Sequence, residues 1–274
     1  RAARPVTLPR AHLGSFFGDP FADGTSLTAR NFTARAAASG IAVSRDATSG
    51  IYLPASSTEW ATFRAAFSLT APAPDSLWLL QEASGNPVDT IGGLTLTAAG
   101  TVTYNQAATG WTRTGVGLAD GVNSQFATTS ASLPNANAAS QTVLMLGTVT
   151  TSSAGNRQVY TGPNNSLRII GGTPRFSVTA IASTASGSVN PLNAVRPWIY
   201  KHDFTGSVQK GYTDQEALGI TYTAIAGKVM RIGSTSAAPG GVFLYACAWY
   251  NANAEISDAN IKALLQAMGF TIAW

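Results

Sequence analysis

From residue 77 onward the apolar residues fall into short runs separated by small-polar turns, the period of strands rather than of helices. The runs predict strands over Leu77–Leu80, Leu94–Thr97, Val102–Tyr104, Gly115–Leu118, Ser124–Thr128, Gln141–Thr150, Arg157–Thr161, Leu167–Ile170 and Arg175–Ala180. Further strands are predicted over Pro197–Asp203, Val208–Thr213, Lys228–Ile232 and Val242–Trp249. Gly92-Gly93, Asn164-Asn165, Gly171-Gly172 and Gly240-Gly241 supply the links. Many short strands with few helices predict an all-β fold, a two-sheet antiparallel jelly-roll sandwich. Val242–Tyr250 is apolar without alternation and reads as a strand buried on both faces, with Cys247 a small core hydrophobe rather than a reactive thiol.

Two stretches have helical spacing. Ser56-Ser57-Thr58 offers an N-cap for a short helix that carries Trp60, Phe63 and Phe67, with Glu59 at the positive end of its dipole and Ala71-Pro72-Ala73-Pro74 as the stop. Near the C-terminus Ser257 caps a helix whose Ile261, Leu264, Leu265 and Met268 share one face, and Gly269 supplies the left-handed stop. The tail Phe270–Trp274 is expected to anchor on the sandwich. Residues 1–50 carry no sustained period and are punctuated by Pro5, Pro9, Gly14, Gly18, Pro20 and Gly24, with room for a short helix over Thr28–Ala38. The organisation predicted is an extended arm (1–50), a short helix and linker (51–74), and a sandwich with its C-terminal helix (75–274).

Composition changes this picture in two places. Charged residues make up 11% of the 274, about half of the usual quarter, and Ala, Thr, Ser and Gly replace them. Such a neutral, hydroxyl-rich surface suits packed assemblies, extracellular settings and glycan contact. The net charge of +4 is uneven, because residues 1–50 hold six Arg against three Asp. Those Arg are scattered singly, which favours contact with an acidic protein surface over direct nucleic-acid binding. Arg4, Arg10, Phe16, Phe17, Arg30 and Arg35 are the expected assembly contacts. The single Cys excludes an internal disulfide framework, and no apolar run nears the ~18 residues of a membrane span. No signal-peptide core opens the chain, and the start at Arg1 is read as processing or mature-chain numbering.

Three segments together resemble a known superfamily. Trp78-Leu79-Leu80-Gln81-Glu82-Ala83-Ser84-Gly85 is followed by Asp89, then by Leu118-Ala119-Asp120-Gly121-Val122-Asn123, and last by Tyr250-Asn251-Ala252-Asn253-Ala254-Glu255-Ile256-Ser257. In order and spacing they resemble the laminin-G-like branch of the concanavalin A-like lectin/glucanase superfamily over about residues 75–270. Ala119 stands where that family often has Phe, and Asn123 where it often has a second Asp. Ser49-Gly50-Ile51-Tyr52-Leu53-Pro54-Ala55 also resembles the linker of tailed-bacteriophage structural proteins that join an arm to such a sandwich. These resemblances imply a virion protein held to other virion subunits by its arm, in many copies or as a homo-oligomer. A secreted glycan-binding module is the alternative, and a divergent glycoside hydrolase the third.

Candidate chemistry is sparse. The superfamily's glucanases carry Glu-x-Asp-x-x-Glu on one strand, and that pattern is absent, so no catalytic residue is nominated and the chain is expected not to be an enzyme. Asp214 and Glu216 have strand spacing but lie in a predicted hairpin tip, and His12 and His202 lack the convergent partners of a zinc site. His202 is read as a surface residue. No cofactor is expected except calcium, for which Asp89, Asp120 and Asn123 are candidates, with hairpin turns the favoured reading of these residues. Glu82 is a ligand candidate or a turn stabiliser. Trp111, placed between strands, is the tryptophan nominated for an exposed sugar platform, whereas Trp78, Trp198 and Trp249 read as core.

Overall fold

The computed structural model describes residues 46, 48–118, 125–127, 140–149, 157–161, 165–170, 175–180, 183–190, 192–203, 208–221, 231–233, 242–250 and 256–274. A helix α1 (Ser57–Ala66) precedes the strands β1 (Ser76–Trp78), β2 (Thr97–Ala99), β3 (Val102–Ala108), β4 (Trp111–Leu118) and β5 (Gln125–Ala127). Then come β6 (Gln141–Val149), β7 (Arg157–Thr161), β8 (Asn165–Ile170), β9 (Arg175–Ala180) and β10 (Ser183–Ser186). The last strands are β11 (Arg196–Asp203), β12 (Val208–Tyr212), β13 (Ala217–Thr221), β14 (Arg231–Gly233) and β15 (Val242–Tyr250), followed by helix α2 (Asp258–Met268).

The described strands form two antiparallel sheets. One has the order β13-β12-β11-β6-β15-β4-β3 with β1 also on β15; the other runs β10-β9-β8-β7-β14-β5-β2. The sequence-based fold class is therefore correct. Strand β15 explains most of the packing. Its Leu244, Cys247 and Trp249 face the core between the sheets, with Val143 and Met145 of β6 and Trp198 and Tyr200 of β11. Its Tyr245, Ala246, Ala248 and Tyr250 face the opposite way, into a second core made with Ile51, Tyr52, Leu53, Trp60, Phe63 and the α2 residues Ile261, Leu264, Leu265 and Met268. A strand buried on both faces needs apolar residues at every position, which is why β15 shows no alternation.

The register of β15 slips between Leu244 and Ala246, so Tyr245 is a bulge residue. There β15 also changes neighbour: Val242–Leu244 pair with β4, and Cys247–Trp249 pair with β1. Gly115 of β4 sits against this bulge, and a Cβ there would lie 2.2 Å from the Leu244 carbonyl oxygen and 2.6 Å from Tyr245 Cδ1. Gly115→Ala is expected to cost about 1–3 kcal/mol in chemical denaturation through this overpacking. Gly219→Ala on β13, where the nearest atom would be 3.6 Å away, should be near neutral in the same measurement. A Gly115→Ala protein as stable as the Gly219→Ala protein would refute the packing argument.

Both helices follow their sequence signals. In α1 the Ser56 hydroxyl accepts from Glu59 N at 3.2 Å, and Glu59 Oε2 accepts from Ala55 N at 2.7 Å, a variant of the capping box. In α2 the Ser257 hydroxyl accepts from Asn260 N, and Gly269 closes the helix at φ 109°. Among the described residues no helix is long and apolar enough to cross a membrane.

Ile51, Tyr52 and Leu53 are buried, and Tyr52 N donates to the Met268 carbonyl at 2.8 Å, so this stretch packs into the outer core. The pinning extends back to Asp46. The assembly candidates Arg4, Arg10, Phe16, Phe17, Arg30 and Arg35 lie outside the described residues.

Candidate functional site

The β12–β13 hairpin builds the site. Thr213 Oγ1 accepts from Gln215 N and Glu216 N at 3.1 Å each, and Thr213 N donates to the Glu216 carbonyl at 2.9 Å, which tightens the tip and sets out Asp214 and Gln215. Strand β11 pairs with β12 and brings Arg196 alongside. Arg196 Nη1 donates to both Asp214 oxygens, at 2.8 and 2.7 Å, and this pair is largely shielded from solvent. With its amide oriented by that network, Gln215 Oε1 accepts from Arg196 Nη1 at 3.1 Å and Nη2 at 3.3 Å.

Three further segments wall the tip. The C-terminal tail crosses it: Ala273 N donates to the Asp214 carbonyl at 3.0 Å, Trp274 Nε1 donates to the Thr213 carbonyl at 2.8 Å, and the Trp274 ring lies 5.3 Å from that of Tyr212. The tail is thus anchored as its aromatic end suggested. Residues 188–189 are drawn in by Glu216, whose Oε2 accepts from Ser188 N at 2.8 Å and Val189 N at 3.4 Å. The last wall is Ser49 and Ile51. Asp46 fixes it, with Oδ1 accepting from Thr48 N, Ser49 N and Ser49 Oγ and Oδ2 from Thr112 N at 2.7 Å and from Thr112 Oγ1. Burial alone would raise the Asp46 pKa, but these hydrogen bonds from Ser49 and Thr112 hold it down at about 2.

Between these walls lies an open cleft of about 580 Å³. Ile51, Val189, Val195 and Phe270 give it apolar surface, and Asp214, Gln215, Ser49 and Thr271 give it polar groups. A mixed lining of this size can hold one or two small rings through both C–H faces and hydroxyls. Among the described residues no three His, Cys, Asp or Glu side chains converge as a metal site would require.

Among the described residues, those nominated from sequence are not brought together. Trp111 opens β4 and does not lie between strands; it is buried in the outer core, its ring 5.8 Å from Tyr245. Its expected exposure is therefore corrected: the turn is at Gly110, φ 76°, and the strand starts one residue later. Glu82 Oε1 accepts from Val88 N at 2.7 Å and closes the turn. Asp89 Oδ1 accepts from Leu77 N, Ile91 N and Gly92 N, and Oδ2 from Leu94 N. Burial would raise the Asp89 pKa, yet these backbone donors lower it, and a carboxylate ringed by N–H groups is poorly placed to take a cation. Asp120 and Asn123 lie outside the described residues. His202 is also corrected. It alternates with Trp198 and Tyr200 on the inner face of β11 and is buried, not on the surface. Trp78, Trp198 and Trp249 are fully buried, as read, and burial pushes the Cys247 thiol pKa up.

Sequence reasoning missed Asp46 and Arg196. Asp46-Ala47-Thr48-Ser49 is a recognisable Asx-turn pattern and could have flagged the first. Nothing local marks Arg196 as the partner of Asp214.

No family model matches this chain, and no curated protein matches it. Solved structures do. Trypanosoma rangeli sialidase in complex with sialic acid aligns with TM-score 0.53 and 12% identity, over 73% of this chain and 33% of that one. The same sialidase as a covalent intermediate with 2,3-difluorosialic acid gives 0.54 and 10%, over 73% and 34%. The binding domain of botulinum neurotoxin serotype D gives 0.51 and 12%, over 73% and 51%. What is shared is the fold. The chain spans about a third of the sialidase chains and about half of the toxin chain.

These matches overturn one expectation. The chain was expected not to be an enzyme, and structures that share its sandwich include sialidases, one of them caught as a covalent intermediate. The missing Glu-x-Asp-x-x-Glu excludes one chemistry alone, the paired-carboxylate scheme of the glucanases.

Proposed function

We propose that this chain is a glycan-recognising β-sandwich, displayed in many copies on a bacteriophage particle as a capsid-decorating, head or tail component. The residues before Asp46 tie it to neighbouring subunits, and the glycan sits in the cleft at the β12–β13 tip. The observation that carries this reading is the lining of the cleft: an apolar wall beside a carboxylate and a carboxamide that Arg196 holds in place. Planar polar groups fixed next to apolar surface suit a sugar ring, which has hydroxyls on its rim and C–H groups on its faces. The likeness to a sialidase bound to sialic acid and to a toxin binding domain supports the same reading at the level of fold.

The test is a glycan array probed with the full chain, with free sugar measured in parallel. Retention of a defined set of glycans is expected, and retention of none would end the recognition reading. Sugar release would favour a second reading as a glycoside hydrolase, which the sialidase matches motivate. The particle role is tested by light scattering on the full chain beside residues 46–274. The full chain should associate and the shorter one remain a folded monomer; two monomers would remove the assembly role of the N-terminal segment.

A further inference from the structure

We infer that the cleft selects a neutral sugar ring bearing a vicinal diol and rejects its acidic counterpart; this rests on the glycan reading above. The argument is charge. Asp214 is the one ionisable side chain among the described residues that line the cleft. The cation that touches it, Arg196, is engaged by both Asp214 oxygens and by the Gln215 carbonyl. Lys262 of α2 donates to the Trp274 carbonyl oxygen and lies 5.7 Å from the centre of the Trp274 ring. Glu216 stands behind Val189 and adds a second negative charge. Among the described residues these charges balance, Asp214 and Glu216 against Arg196 and Lys262, but Asp214 is the charge that lines the cleft itself, and each of the two cations already has a carboxylate or carbonyl partner.

A carboxylate has about four lone-pair sites, and the Arg196 bonds use two of Asp214's. The remaining sites accept from two adjacent sugar hydroxyls, while the Gln215 NH₂ donates to a ring or hydroxyl oxygen. Val189, Val195 and Ile51 receive the C–H face. A sugar carboxylate in the same place would meet Asp214 as a like charge, with its own acceptors unmatched.

The experiment compares sugars that differ only in this charge. Methyl β-D-glucopyranoside against methyl β-D-glucuronide, and methyl β-D-galactopyranoside against methyl β-D-galacturonide, are titrated into the full chain by ligand-observed NMR at low salt. The neutral member of a pair should bind at least tenfold more tightly. Asp214→Asn should shrink or reverse that ratio, and Gln215→Ala, at an exposed position, should weaken neutral binding severalfold without changing the far-UV CD spectrum. Equal or tighter binding of the acidic member overturns the inference and leaves the glycan reading standing. Binding of neither member overturns it too, and if the array also retains nothing the glycan reading falls with it.

Discussion

Trp249→Ala should lower the unfolding free energy by about 3–5 kcal/mol. Trp249 is fully buried between the sheets on a strand whose two faces are both covered. Truncation removes most of its side-chain volume from a close-packed region that relaxes only in part. It also removes a hydrogen bond, because Trp249 Nε1 donates to Gln141 Oε1 at 3.0 Å in a fully buried pair. Gln141 would keep its bond to Tyr160, where Nε2 donates to the hydroxyl at 2.5 Å, but its oxygen would lose this donor. Trp249→Phe separates the two contributions: it retains most of the packing and should cost about 1–3 kcal/mol. Urea unfolding followed by far-UV CD measures both. An alanine variant within about 1 kcal/mol of the parent would mean that this region repacks freely, contrary to the account.

The second large effect is at Asp46. Replacing it with alanine should cost about 2–3 kcal/mol, because Thr112, Thr48 and Ser49 lose a shared acceptor that is only 2% exposed. The same residue sets an acid dependence. Its pKa is about 2 in the fold against 3.8 for the free side chain, so the folded value is the lower one. Its contribution, roughly 2 kcal/mol, is then complete above about pH 4 and is lost as pH falls from about 4 to about 2. Asp89 and Asp258 are also held below the ordinary carboxylate range, the latter by Lys210 and Tyr212 against the opposing effect of burial, so they too lose stability in acid. Asp46→Asn should therefore flatten the acid limb without abolishing it. Stability measured by denaturant at pH 6, 4 and 2.5 checks this; parallel profiles for parent and variant would show that Asp46 carries no linked proton.

Much of the fold was legible because the signals were local. The unbroken apolar run of β15, the Ser257 cap, the Gly269 stop and the stripe of Ile261, Leu264, Leu265 and Met268 each point to one structure. Two strands were missed. Strand β10 is Ser-Thr-Ala-Ser, and β13 is Ala-Leu-Gly-Ile-Thr with every second residue exposed; both lie at sheet edges. At an edge the neighbouring strand supplies the order, so little apolar pattern is required of the strand itself. Trp111 was misplaced for a related reason. Gly110 was read as part of a broad link, whereas it is one residue of a tight turn and the next side chain already lies under the segment that Asp46 pins.

The site was far less legible than the fold. Its walls come from Ser49, Val189, Asp214 and Thr271, which no sequence window brings together. The hairpin tip that carries Asp214 and Glu216 was correctly placed, but their partners were invisible. Arg196 lies 18 residues before Asp214 and reaches it only through the β11–β12 register. Asp89 illustrates the converse: the sequence marks a carboxylate near a turn, and only the geometry reveals that backbone donors already fill it.

The central claim is that a glycan is held at the β12–β13 tip. It is tested most directly by mapping amide chemical-shift changes in the full chain as a glycan retained on the array is added. The account predicts shifts concentrated at Val189, Asp214, Gln215 and residues 269–273, with little change on the β3–β4 hairpin. Shifts clustered away from the cleft, or spread without a centre, would contradict it.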